Sequence, residues 1–173
     1  SRPVILSSSN SFSHDRLHTT LGGYLSQHME PVTIGRLANE TWYLFGDTRG
    51  DEWLAMQRGY VHPADSELDD PALSFGVGSK GSGVAFHSHG PAFAETLLGA
   101  KRWYLYPPSH RPDFAPDETQ LMWAVSRQGA QTEPPLVCTL GPGEVIYLPD
   151  LWWHATLNTD DYNAFMSVFT HES

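Results

Sequence analysis

The sequence predicts a mostly β protein, either a sandwich or a barrel. Short apolar runs alternate with frequent turn residues, 15 Gly and 13 Pro in 173 residues. Aromatic residues are plentiful, with 6 Trp, 7 Tyr and 8 Phe. No run approaches the ~20 apolar residues that span a bilayer. The length suits one domain with a sizeable core. The net charge of -10 repels phosphate backbones and argues against a nucleic-acid partner. A lone Cys138 excludes a disulfide framework and any Cys-rich zinc module. The chain opens on Ser1 rather than Met, as expected of a trimmed chain in which a removed leader would be invisible.

The elements follow from local pattern. Residues 3–6 read as a strand and 7–13 as a Ser-rich loop. Residues 15–29 read as a helix, with Leu17, Leu21, Tyr24, Leu25 and His28 near one face and Ser13 or Asp15 as cap, although Gly22 and Gly23 weaken it. Residues 41–45 read as a strand, 51–58 as a short helix and 63–71 as a solvated acidic loop. Four strands follow at 73–77, 83–89, 92–98 and 101–106, with Gly99 and Ala100 as a two-residue hairpin turn. A Pro-rich loop spans 108–116, and Asp117 caps a helix carrying Leu121, Met122, Ala124 and Val125. Strands at 137–140, 145–148, 153–157 and 164–169 complete the chain. No repeat or linker divides it, so residues 1–173 form one domain: 1–72 an elaboration packed on a barrel at 73–170.

The 9 histidines are a surplus for this length. His87 and His89 lie two apart in a strand pattern, so both imidazoles share a face. Turned inward they form half of a metal site suited to Fe, Zn, Ni or Cu; turned outward they are merely solvated. Gly81, His87-Ser88-His89, Glu95 and Gly99 approximate the first cupin motif, and Gly143, Pro149, His154 and Asn158 the second, with Leu151 where a glycine is usual. A small barrel needs inward His from separate strands to enclose one metal. His14, His18, His28, His62, His110 and His171 lack motif spacing and default to the surface.

The segments FHSHGPAFAETLLGAKRWYLYP and GPGEVIYLPDLWWHATLN resemble the Jumonji-C (JmjC) hydroxylases, iron(II) and 2-oxoglutarate oxygenases of the cupin superfamily. The resemblance implies a double-stranded β-helix (cupin or jelly-roll barrel) with a few flanking helices. It implies His87, His89 and His154 as ligands of Fe(II) or another divalent metal, with Glu95 ranked below them. It implies that Lys101 pairs with 2-oxoglutarate. Across the expected hairpin Lys101 lies opposite Leu98, on the face of Ala92, Ala94 and Thr96, which makes Thr96 a second cosubstrate candidate. The alternative is a rim lysine. Asn158 and Trp153 are read as structural.

This sequence departs from the family where His89 takes the place of the usual carboxylate. A branch of the family shares that His-x-His. Its members are thought to reside in the endoplasmic reticulum lumen, to support tumour-necrosis-factor signalling to NF-kappaB, and to affect metabolism and angiogenesis. Asn39-Glu40-Thr41 is an N-glycosylation sequon consistent with that compartment. Met166 and Val168 stand where many hydroxylases place polar cosubstrate contacts, and Ala92 and Ala94 also replace polar groups. The readings are therefore a metal-binding regulator acting on a protein partner, an active protein hydroxylase, or a metal-dependent cupin without 2-oxoglutarate. Oligomeric state stays open.

Overall fold

A computed structural model describes residues 2–8, 15–34, 41–47, 50–61 and 71–170. Eleven strands form two antiparallel sheets among these residues: β1 (Pro3–Ser8), β2 (Arg16–Thr20), β3 (Trp42–Asp47), β4 (Ala72–Ser79), β5 (Gly83–His87), β6 (Ala92–Leu98), β7 (Lys101–Tyr106), β8 (Leu136–Leu140), β9 (Val145–Leu148), β10 (Trp153–Asn158) and β11 (Tyr162–Phe169). The larger sheet runs β2-β1-β3-β4-β11-β6-β9 and the smaller β5-β10-β7-β8. From β4 to β11 the chain alternates between sheets at every link except β7 to β8. That alternation builds the double-stranded β-helix, with the inner faces of both sheets enclosing Ala94, Trp103 and Leu148.

Two expectations fail in ways that matter here. Residues 99–100 do not close a hairpin, because β6 pairs with β11 and β9 while β7 pairs with β10 and β8. The link is a corner that throws the chain from one sheet to the other. Gly99 makes it at φ 74, where a Cβ would also strike the carbonyl of Tyr162. Residues 15–29 are not one helix. Arg16–Thr20 pairs along β1, from Pro3 opposite Thr20 to Ser7 opposite Arg16. Only the turns that follow are helical, α1 (Leu21–Gly23) and a wide turn at Tyr24–His28. Thr20 caps α1 by accepting from the Gly23 N–H at 3.0 Å. Edge pairing thus overrides the apolar spacing, and Gly22-Gly23 gives a long helix little to resist with.

The front core gathers Val4, Leu6, Tyr24, Leu44, Trp53 and Val77, next to the short helix α2 (Leu54–Gly59). The outer face of the small sheet is covered by α3 (Gln120–Ser126). There Phe86, Tyr104, Tyr106, Ala155 and Leu157 surround Trp123. Thr119, not Asp117, caps α3, its hydroxyl accepting from the Met122 N–H at 3.1 Å. Each strand of the small sheet therefore has two uses. On β7, Tyr104 and Tyr106 face the helix while Lys101 and Trp103 face the barrel; on β10, Ala155 and Leu157 face the helix while His154, Thr156 and Asn158 face inward.

Candidate metal and carboxylate site

Strand register brings the first two imidazoles together. His154 on β10 lies opposite His87, the last residue of β5, and their ring centroids are 4.1 Å apart. His89 falls beyond the end of β5, so it does not share a ladder with His87 as expected. The chain curls it back so that its ring centroid lies 4.5 Å from that of His154. One nitrogen from each ring can be chosen so that all three lie within 4.8 Å of one another.

Backbone carbonyls orient the rings. Nδ1 of His87 meets the Ala85 carbonyl at 2.9 Å, Nδ1 of His154 the Trp152 carbonyl at 2.8 Å, and Nδ1 of His89 the Gly90 carbonyl at 2.7 Å. A carbonyl only accepts, so each Nδ1 carries the proton and each Nε2 keeps its lone pair. Nε2 of His154 and Nε2 of His89 then face each other at 3.0 Å. Two lone pairs at that distance repel unless a cation lies between them. Burial lowers the His154 pKa to about 3 and lowers that of His87 as well, with the neighbouring imidazoles adding to the effect. The Trp152 and Ala85 carbonyls oppose these shifts without reversing them. Imidazoles whose Nδ1 is pinned by a carbonyl turn Nε2 toward a common point, the donor set a divalent metal requires, so the residues fit such an ion.

Beside the histidines opens a narrow cavity of about 30 Å³. Phe45, Phe165, Phe169, Ala92, Ala94, Leu148 and Trp103 make it largely apolar, and Thr156 and Ser167 bring hydroxyls. Lys101 lines it at 2% exposure. Its Nζ donates to Asn158 Oδ1 at 3.2 Å and sits 3.8 Å from the Phe165 ring centroid. Among the described residues no carboxylate pairs with it, and burial lowers its pKa to about 7. A buried ammonium without a counter-ion fits an incoming carboxylate. The lysine faces inward as the sequence implied, although the hairpin geometry that led there is not present.

Other candidates fall elsewhere. Glu95 stands outside the cluster, its carboxylate accepting from the Tyr60 hydroxyl at 2.8 Å. Thr96 is buried, but the cavity reaches Ala92 and Ala94 without reaching it. Asn158 ties down the turn between β4 and β5: its Nδ2 donates to Ser82 Oγ at 3.0 Å, and its N–H and C=O bond to Ser82 and Gly81. Trp153 packs against the cluster around Trp123. His18 is exposed, and His110 pairs with Glu133 at 3.3 Å. His14, His62, His171, Asn39 and residues 63–70 of the acidic loop lie outside the described residues.

Two features escaped the sequence reading. Met166 and Val168 face away from the cavity, and Phe165, Ser167 and Phe169 line it. Strand alternation through 165–169 would have found this set. The ring beneath Lys101 was not foreseeable, because Phe165 comes from the other sheet.

The fold and the histidine cluster define a cupin, and the whole chain agrees. Residues 47–173 match the cupin-like domain family, and the chain belongs to it. It is 43% identical over 169 residues to JmjC domain-containing protein 8 of Mus musculus, covering 96% of this chain and 62% of that protein. The same protein of Homo sapiens is 43% identical over 171 residues, covering 97% of this chain and 64% of its own. The chain thus spans less than two thirds of these relatives. Among solved structures, YcfD, a ribosomal oxygenase from Escherichia coli in complex with cobalt and succinic acid, aligns with a TM-score of 0.58 at 17% identity. That alignment covers 99% of this chain and 40% of YcfD, and shows a shared fold.

Proposed function

We propose that this chain is a metal-binding JmjC-type cupin that holds one divalent metal, iron(II) by preference, on His87, His89 and His154. It takes 2-oxoglutarate as its small ligand on Lys101 and serves as a regulatory protein toward a protein partner. The observation that carries this reading is the convergence of three imidazoles, each held by a backbone carbonyl on Nδ1, beside a buried lysine that meets no carboxylate among the described residues. Support also comes from solved relatives of this fold described with cobalt and 2-oxoglutarate or succinic acid.

Each residue has a physical task. The three imidazoles bind through Nε2, and the Ala85, Trp152 and Gly90 carbonyls keep them from rotating. Lys101, steered by Asn158 and Phe165, receives the distal carboxylate as a charge-assisted hydrogen bond. The aromatic walls exclude water, which strengthens that contact. An iron(II) held there supplies, when bound, the capacity to activate dioxygen with a 2-oxo acid as reductant. With His89 in place of a carboxylate, the protein ligands leave the metal's charge uncompensated, and this favours the regulatory reading over catalysis.

Anaerobic calorimetry tests the proposal. Manganese(II) should bind one per chain, and 2-oxoglutarate should bind only afterwards. Lys101→Ala should spare the metal and weaken 2-oxoglutarate at least tenfold, given ~1.5–3 kcal/mol for a hydrogen bond to a charged group. Equal affinity in the variant would remove Lys101 from its role. The second reading, a protein hydroxylase, is favoured by the retention of Lys101 beside the histidines. It requires succinate production above a metal-only blank, and His89→Asp should raise that production. We further propose residence in the endoplasmic reticulum lumen, with a role in NF-kappaB signalling, supported by the sequon at Asn39 and by the similarity to JmjC domain-containing protein 8. Peptide mapping of protein expressed in secretory cells, before and after glycosidase, tests the first half: an unmodified Asn39 counts against it.

A further inference from the structure

We infer that the turn at 149–152 is the positioning element of the histidine centre, with Leu151 as its positioning residue; this rests on the metal-binding reading above. The turn is closed by the Trp152 N–H on the Pro149 carbonyl at 3.3 Å. Two hydrogen bonds leave it for two different ligands. The Trp152 carbonyl accepts from His154 Nδ1 at 2.8 Å, and the Leu151 N–H donates to the His89 carbonyl at 3.0 Å. His89 needs that second bond. It lies past the end of β5, where no ladder holds it, and its Nδ1 reaches only the adjacent Gly90 carbonyl. The Leu151 N–H is the inter-loop backbone bond to His89 among the described residues, and it ties that residue to the loop delivering His154.

Leu151 makes this bond from a conformation that side chains resist. At φ 57 it is the one non-glycine residue with positive φ among those described. Its side chain is 54% exposed, so packing does not account for the strain. The surroundings that hold it there are the turn and the bond to His89. The short distance between the Nε2 atoms of His89 and His154 is therefore set by the backbone of one tight turn.

The test replaces Leu151 by its α-hydroxy acid, which deletes the N–H and keeps the side chain. Cobalt(II) serves as the probe, read by its affinity and by its visible absorption bands, which report coordination geometry. We expect the ester variant to bind cobalt(II) about tenfold more weakly, within the range for lost outer contacts to ligands, and with altered bands. Leu151→Gly keeps the N–H and relieves the strained φ, so its affinity and bands should match the parent. An ester variant with parental affinity and bands would overturn the inference while leaving the metal site standing. Equal losses in both variants would also overturn it, because the N–H would then have no effect beyond that of any change to the turn. A parent protein that takes up no cobalt(II) would overturn the metal-binding reading and this inference with it.

Discussion

Burial of Lys101 at 2% exposure, with Asn158 as hydrogen-bond partner, lowers its pKa from 10.5 to about 7. The sign of the consequence follows from proton counting. Between pH 7 and 10.5 the unfolded chain holds the proton that the folded chain releases. Stability of the ligand-free protein should therefore rise with pH across that window and lose the same contribution as pH falls toward 7. Urea midpoints measured from pH 7 to 10 check this, and Lys101→Met should flatten the rise. Saturating 2-oxoglutarate with metal should flatten it too, because a bound carboxylate keeps the ammonium charged. A parent and Lys101→Met with identical slopes would show that the amine is not held away from water. At this scale the sequence was informative about identity: the histidines and the lysine were named from spacing and resemblance. It was silent on Phe165, whose ring comes from another sheet.

Strands β5 and β10 meet where Gly83 faces Leu157 and His87 faces His154. A Cβ on Gly83 would strike the Thr156 carbonyl, which is backbone and cannot swing aside. Gly83→Ala should therefore cost about 1–3 kcal/mol and separate the two strands that carry the facing histidines. The measurement is thermal melting together with cobalt(II) uptake, both of which should fall. Gly22→Ala is the control: nothing lies within 4 Å of its added Cβ, and melting should stay equal or rise. The elements also separate two kinds of sequence information. β6, β7 and β9 match the local pattern residue for residue, because alternation and turn residues are local properties. β2 does not, because its strand form depends on β1, which supplies the hydrogen bonds that a helix would have made internally.

The larger sheet runs without a break from the front strands into the barrel, since β3 pairs with β4 from Leu44 opposite Val77 to Asp47 opposite Ser74. The front core shares Val77 with the sheet that walls the cavity, and Tyr24 donates to the carbonyls of Trp42 and Val77 at 3.1 and 3.3 Å. The two parts should therefore unfold together. Leu6, at 0% exposure, tests this: Leu6→Ala should cost about 2–5 kcal/mol and lower a single melting transition. Two separate transitions by calorimetry would instead make the front strands an independent unit. Cobalt(II) stoichiometry at low temperature should be unchanged, because none of the residues lining the histidine cavity belongs to that core.

Residue types, their order and the alternation of short strands were enough for a mostly β protein, and the family resemblance carried by two motifs implied a β-helical barrel and nominated three imidazoles and one lysine. These are properties of local chemistry and of two motifs that survive in linear form. Which groups meet is a different matter. The corner at Gly99 against Tyr162, the Leu151 bond that holds His89 in its curl and the aromatic floor under Lys101 all arise from contacts between chain segments dozens of residues apart. Pairing across sheets is settled by the burial and hydrogen bonding of the folded whole, and no window of neighbouring residues contains that information.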